Sequence, residues 1–260
     1  MPAHDDLALL IEAARAAGEI ALRHWRSDPE AWDKPAGAGP VTEADLAVDR
    51  MLAAELTAAR PDYGWLSEES EDNIARLETE RLFIIDPIDG TRAFIAGEET
   101  FAHSLAVVEN GEVLAGVVYL PALDRLYSAA AGEPARRDGA VLRVSGQAEI
   151  AGASMLTTGA NLRPEQWPGG VPEIRRAFRN SLAYRLCLVA EGRHDSMLTL
   201  RDAWEWDVAA GDLIARQAGA AVTDRFGAAL RFNAQHPQTR GVLAAPPALH
   251  ARLLEKLTRG

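Results

Sequence analysis

One cysteine stands in 260 residues. That count excludes an intramolecular disulfide and a cysteine-rich zinc site. Cys187 lies in Leu186-Cys187-Leu188-Val189, a setting for a buried structural thiol rather than a nucleophile. No apolar run approaches the roughly 20 residues that span a bilayer. Basic residues are short: 27 Lys and Arg face 38 Asp and Glu, a formal net charge of −11. This excludes a nucleic-acid binder that relies on a basic face. The first residues, Met1 to Asp6, are acidic where a signal peptide is basic, so a cytoplasmic location is expected. Internal repeats and low-complexity segments are absent. What remains is ordinary for a globular chain, 48% hydrophobic and 25% charged. The length allows one large domain or two modest ones with a substantial core.

The most informative stretch is Leu82-Phe83-Ile84-Ile85-Asp86-Pro87-Ile88-Asp89-Gly90-Thr91. Four apolar residues between Arg81 and Asp86 predict a short buried strand. Pro87 cannot donate to a ladder, so the strand is expected to stop there. Gly90 permits a tight turn and close approach to a ligand, and Thr91 is placed to cap a helix starting near Arg92. Two carboxylates and a Gly-Thr turn at one strand end suit divalent cations on the acids and a phosphate on the helix amides. A surface turn built from the same residues is the plainer reading.

Helical spacing from Leu7 to Trp25 predicts a first helix over about Asp6 to Trp25. Ser27 to Pro40, rich in Pro and Gly, reads as a mobile loop with Lys34 as its only base. Thr42-Glu43-Ala44-Asp45 has the form of a capping box and opens a second helix. Trp65-Leu66 read as a strand running into an acidic loop. Glu69, Glu71 and Asp72 fit solvated loop positions, whereas Glu68 stands at a strand end as Asp86 does. Ser104 to Val108 and Val113 to Tyr119 are strands joined by Asn110-Gly111, a strong hairpin signal. Arg125 to Ala129 and Val141 to Val144 continue a sheet. Later strands are expected at Met155 to Thr157, Asp195 to Leu200, Ala221 to Thr223 and Val242 to Ala244. Helices are expected from Ser181 to Glu191, from Trp206 to Ala218 and from Pro247 to Leu257. The pattern changes near residue 145, which suggests halves at 1–145 and 146–260.

Four acids stand out by context: Glu68, Asp86, Asp89 and Asp207. A site with two hard cations needs carboxylates flanking ions roughly 3.5–4 Å apart. Spacing alone does not bring these acids together, and Asp207 also suits a helix N-terminus through the dipole alone. For Asp45, the capping box by itself is a rival to any catalytic role.

The chain resembles the inositol monophosphatase family of Mg²⁺-dependent, lithium-sensitive phosphatases. The resemblance rests on Glu68-Glu69 after Leu66-Ser67, on Asp86-Pro87-Ile88-Asp89-Gly90-Thr91 and on Trp206-Asp207-Val208-Ala209-Ala210-Gly211. Lys34 ahead of Val41 to Asp45, and Leu186 to Gly192, support it; the matches run in family order over nearly the whole chain. It implies an α+β fold, a layered αβαβα sandwich of two fused halves. Glu68, Asp86 and the Ile88 carbonyl would hold one Mg²⁺, and Asp86, Asp89 and Asp207 a second. A third, weaker ion would lean on Glu68. Asp45 and Thr91 would position and deprotonate the attacking water, and the Gly90 and Thr91 amides would hold the phosphate. With a negative net charge, bound cations are the expected means of attracting an anionic substrate.

Within the family, Gly90-Thr91-Arg92-Ala93-Phe94-Ile95 is most similar to the 3′(2′),5′-bisphosphate nucleotidases, with Ala93 where Glu is common. Arg92 offers a fork donor for a second phosphate. Glu205-Trp206-Asp207 is also common in that subgroup. Ser181, in Asn180-Ser181-Leu182, stands where a substrate contact is expected. Arg185 reads as facing a substrate or, more ordinarily, as a surface salt bridge, and His103 is assigned no role. Inositol-1-monophosphatase and then histidinol phosphatase are the alternative activities. A different class, an interaction protein in a transcription complex, is the other reading. The expected partner is a small-molecule phosphate ester, and a homodimer is compatible with the resemblance.

Overall fold

The computed structural model describes residues 2–34 and 39–258. Helix α1 (Pro2–His24) is followed by β1 (Ala31–Asp33), β2 (Pro40–Thr42) and α2 (Glu43–Ala59). Part of the expected mobile loop is thus a short antiparallel pair, with Trp32 opposite Val41. Pro35 to Ala38 lie outside the described residues, so the mobility expected there is not addressed.

A seven-stranded sheet comes next, from β3 (Gly64–Ser67), β4 (Arg81–Asp89), β5 (Ala102–Glu109), β6 (Glu112–Leu120), β7 (Arg125–Ala130), β8 (Arg136–Arg137) and β9 (Ala140–Val141). Its strands stand in chain order; β3 and β4 are parallel and the rest antiparallel. Asn110 and Gly111 both have positive φ, 52° and 81°, as a two-residue hairpin turn requires. The strand expected over Val141 to Val144 shrinks to Ala140–Val141. Short helix α3 (Thr91–Ile95) leaves the end of β4.

A five-stranded sheet holds β10 (Ser154–Leu156), β11 (Arg175–Ala177), β12 (Ser196–Thr199), β14 (Ala221–Thr223) and β16 (Val242–Ala245), in the order β11-β10-β12-β16-β14. Helices α4 (Leu182–Ala190), α5 (Glu205–Gln217) and α6 (Pro247–Thr258) accompany it. A two-residue pair, β13 (Ala203–Trp204) with β15 (Gln238–Thr239), sits just before α5.

Alternation along the strands explains the layering. Phe83 and Ile85 join one apolar cluster with Leu10, Ala14, Val48 and Leu52 of α1 and α2. Leu82 and Ile84 join another with Leu186, Val189, Leu213 and Ile214 of α4 and α5. That second cluster also takes Met197 and Ala244 from the five-stranded sheet. Leu198 and Leu243 face the other way, against Leu249 and Leu253 of α6. Helices, sheet, helices, sheet and helix therefore alternate, and both sheets are covered on both faces. This is the α+β, αβαβα sandwich expected from the sequence. Cys187 is free and fully buried in the shared middle layer. Among the described residues, no helix is long and apolar enough to cross a membrane.

Candidate active site

The end of β4 departs from the sequence expectation in a way that shapes the site. The strand does not stop at Pro87 but runs to Asp89. Its pairing with β5 skips, with Asp86 opposite Ser104 and Asp89 opposite Ala102. Three steps on β4 match two on β5, so a bulge accommodates the proline that cannot join the ladder. The bulge also resets the side-chain alternation. Asp86 and Asp89, which a regular strand would point to opposite faces, both line one cavity of about 190 Å³. His103 supports this irregular backbone: its ring Nδ1 lies 2.5 Å from the Pro87 carbonyl, and burial lowers its pKa to about 4.

Glu68, at the end of the parallel neighbour β3, and Asp207, in the first turn of α5, meet Asp86 there. One oxygen from each of the three lies within 4.8 Å of the others. Asp86 is 1% exposed, and neither of its oxygens has a hydrogen-bond partner. Burial, then repulsion by Glu68, Asp89 and Asp207, pushes its pKa well above the usual carboxylate range. Burial and the charges of Asp89 and Glu68 raise Asp207 in the same way. A fold that packs mutually repelling acids together and leaves one of them, Asp86, without a donor fits a cationic ligand among them.

Asp89 is held differently. Its Oδ2 accepts from Ser181 Oγ and from the Ala183 amide, both at 2.7 Å. Ser181 is fully buried, caps α4 through the Tyr184 amide and gives its hydroxyl to Asp89. The expectation of a substrate contact at Ser181 is therefore corrected: it orients a carboxylate and shows no surface to a ligand.

Thr91 is also reassigned. Gly90, at φ 98°, occupies the cap position of α3, and no side-chain capping bond is made. Thr91 is the first helical residue, and its Oγ1 lies 3.3 Å from Asp45 Oδ1 and 3.2 Å from the Ile88 carbonyl. The two readings of Asp45 are compatible because its oxygens divide the work. Oδ2 completes the capping box, accepting from the Thr42 amide at 2.9 Å and from Thr42 Oγ1. Oδ1 faces Thr91. Burial raises the Asp45 pKa to about 6, against the lowering effect of the Thr42 bonds.

Glu69 is not the solvated loop acid expected. Its side chain is 4% exposed and, with Glu68, grips the Lys34 ammonium; both distances are 2.7 Å. Burial, then the Glu68 charge, pushes Glu69 up to about 7. Asp72 is engaged too, by Arg76.

The cavity's other walls carry three arginines. Arg92 is exposed at its edge. Among the described residues Arg185 forms no salt bridge: it is 7% exposed, donates to the Arg179 carbonyl at 2.6 Å and lies over the Phe178 ring. Burial lowers it to about 10. Arg201 was not anticipated, although it follows directly on an expected strand end. Trp204 was missed as well, despite the double tryptophan in Trp204-Glu205-Trp206-Asp207.

The last motif separates into packing and chemistry. Glu205 is fully buried and accepts from the Asn233 and Ala234 amides at 2.6 and 3.0 Å, tying down a loop rather than a substrate. A Cβ on Gly211 would come within 2.8 Å of Leu186 Cβ, and one on Gly116 would come within 3.0 Å of Ala210 Cα. Ala210-Gly211 thus lets α5 lie close to both α4 and β6. Ser104 Oγ donates to the Trp206 carbonyl at 2.9 Å, fixing the helix start that carries Asp207.

A family model described as the inositol monophosphatase family matches residues 4–259. An inositol-1-monophosphatase of Mesorhizobium japonicum is 32% identical, covering 85% of this chain and 86% of its own. A histidinol-phosphatase of Mycobacterium tuberculosis is 35% identical over 99% of each chain. Among solved structures, the extragenic suppressor protein suhB from Bartonella henselae superposes with a TM-score of 0.82 at 30% identity, covering 98% of this chain and 99% of that one. Likeness of this extent in sequence and in three dimensions, with the acids gathered where β4 ends, establishes that the chain belongs to the inositol monophosphatase family of phosphatases.

Proposed function

We propose that the protein hydrolyses a small-molecule phosphate monoester with Mg²⁺, and that its substrate is a 3′(2′),5′-bisphosphate nucleotide, 3′-phosphoadenosine 5′-phosphate going to AMP. The observation that carries the hydrolytic reading is Asp86, buried with both oxygens unpartnered beside Glu68 and Asp207. Glu68, Asp86, the Ile88 carbonyl, Asp89 and Asp207 would hold two ions, and a third, weaker one would lean on Glu68 in competition with the Lys34 ammonium. Bound there, Mg²⁺ supplies charge stabilisation at phosphoryl oxygens and lowers the pKa of water.

The chain's own groups handle position and proton. The amides of Gly90 and Thr91 hold the phosphate at the start of α3. A water accepted against Thr91 Oγ1 gives up its proton as the threonine proton moves to Asp45 Oδ1. An acceptor at about pKa 6 is suited to this near neutral pH. The water oxygen bonds to phosphorus, the ester P–O bond breaks, and the departing oxygen takes a proton from solvent water to leave as the alcohol. Ser181 keeps Asp89 in place throughout.

Arg92, Arg185 and Arg201 around the cavity support a substrate with a second anionic group, in a chain of net charge −11. The 35% identity to a histidinol-phosphatase over 99% of both chains keeps histidinol phosphate as the second reading. Turnover with Mg²⁺ on 3′-phosphoadenosine 5′-phosphate, myo-inositol 1-phosphate, histidinol phosphate and fructose 1,6-bisphosphate tests both levels. The bisphosphate nucleotide should show the highest kcat/KM. Preference for another ester moves the substrate; no turnover of any ester overturns the hydrolytic reading.

A further inference from the structure

The cavity contains one aromatic wall among its described lining residues, Trp204. The ring is half-buried and stacked on Trp206, with centroids 4.7 Å apart and planes 9° from parallel. His236 meets it edge-on at 5.5 Å. The backbone is fixed too, since Trp204 pairs with Gln238 between β13 and β15 and is the cap residue of α5. Asp207 lies three residues on, about 4.5 Å along a helix axis. Trp204 is therefore a preorganised flat surface at a set offset from the acid cluster, and none of the hydrolytic steps uses it.

We propose that Trp204, backed by Trp206, is the platform on which the planar heterocyclic base of a nucleotide substrate stacks. The proposal rests on the phosphatase reading above for the position of the phosphate. A rigid indole face recognises a flat π-system of any base, at little conformational cost. The surrounding charge selects among flat ligands. Arg92, Arg185 and Arg201 line the same cavity, so a base whose nucleotide carries a second phosphate finds fork donors beside the platform. A polyol ring, by contrast, presents hydroxyls around its rim that an indole face leaves without partners.

The test compares ligands with and without a base on wild type, Trp204→Ala, Trp204→Leu and Trp204→Phe, each checked for an unchanged melting profile. Leu keeps the bulk and removes the π-face, so it serves if the Ala variant does not fold. Calorimetric affinity for AMP should fall about 10- to 100-fold in the Ala and Leu variants and stay within about threefold in Phe. Affinity for inorganic phosphate should not change. In turnover, the Ala or Leu change should raise KM for 3′-phosphoadenosine 5′-phosphate with kcat nearly constant, and leave glycerol 2-phosphate untouched. Equal losses for base-bearing and base-free esters, or unchanged AMP affinity, overturn the platform while the phosphatase reading stands. Absence of all turnover with a selective loss of AMP binding does the reverse.

Discussion

Buried or half-buried acids in two regions of this protein are treated in opposite ways. In the C-terminal part, Asp224 accepts from the Phe226 and Ala228 amides at 2.9 Å each and from Arg240 at 2.7 Å. Asp195 accepts from the Ser154 amide and from the Ser145 and Ser154 hydroxyls at 2.7 to 2.8 Å. Burial opposes its ionisation, yet these bonds carry its pKa below the usual value. At the end of β4, Asp86 receives no amide, hydroxyl or cationic donor among the described residues, faces the Asp207 carboxyl, and its pKa is driven up. An acid needed for structure is supplied with donors by its own chain. One left bare at a buried crossing of strand and helix ends costs stability, and it is retained where a ligand completes it.

The largest effect should come from inverting this difference. Asp86→Asn removes one anionic ligand at equal volume, and kcat should fall by at least about 10³-fold. The cation-free variant should melt no lower than wild type, because a repelled charge has gone. Added Mg²⁺ should raise the melting temperature of wild type and not that of the variant. Asp89→Asn should likewise nearly abolish turnover. Near-normal kcat in either variant at saturating Mg²⁺ would remove the metal assignment.

Asp45 stands between the two kinds, with one oxygen bonded to Thr42 and the other turned to Thr91. Thr91→Ala and Asp45→Asn should each lower kcat by about 10²- to 10³-fold, more than they raise KM. The double variant should lose little more than either single one, because both act on one proton path. A double loss equal to the product of the single losses would sink the relay.

Asp224→Asn should give the converse of Asp86→Asn. Activity should be kept, while stability drops by about 1–3 kcal/mol as donors lose a charged acceptor. In a chain of this size that is roughly 2–4 °C of melting temperature per kcal/mol. A variant that loses activity without losing stability would place Asp224 with the functional acids instead.

The smallest effect is in pH. Glu69 titrates at about 7 in the fold, above the 4.5 of a free glutamate. Between these values the cation-free folded chain holds a proton that the unfolded chain has released, so stability from this group rises as pH falls and is lost as pH rises through about 7. From pH 7 to pH 5, wild type should therefore gain melting temperature relative to Glu69→Gln. A parallel pH profile for the two would show that Lys34 keeps Glu69 ionised throughout.

Local chemistry was legible wherever one short stretch of residues decided the outcome. Thr42 and Asp45 do close a capping box, Asn110-Gly111 does turn a hairpin, and the four-residue apolar run did mark the central strand. The local rule for Pro87 failed because a bulge, a property of two strands together, relieves the constraint that a single strand imposes. Glu69 and Arg185 were misjudged for a related reason. Charged residues in a polar run or on a helix look solvated until another element covers them, here Lys34 for one and Phe178 for the other.

What the sequence determined by itself was the family, through motifs in order along the chain, and with that resemblance the expected layer order; residue type and context also singled out four acids. Tertiary structure alone decided which acids meet. Glu68, Asp86 and Asp207 come from three different elements, and only the parallel pairing of β3 with β4 and the close seat of α5 bring their oxygens together. It also decided what surrounds them: Ser181 turned from substrate contact to support, and Trp204 and Arg201 drawn to the cavity. Proximity across the chain is fixed by packing, and packing is a sum over many residues that no short motif encodes.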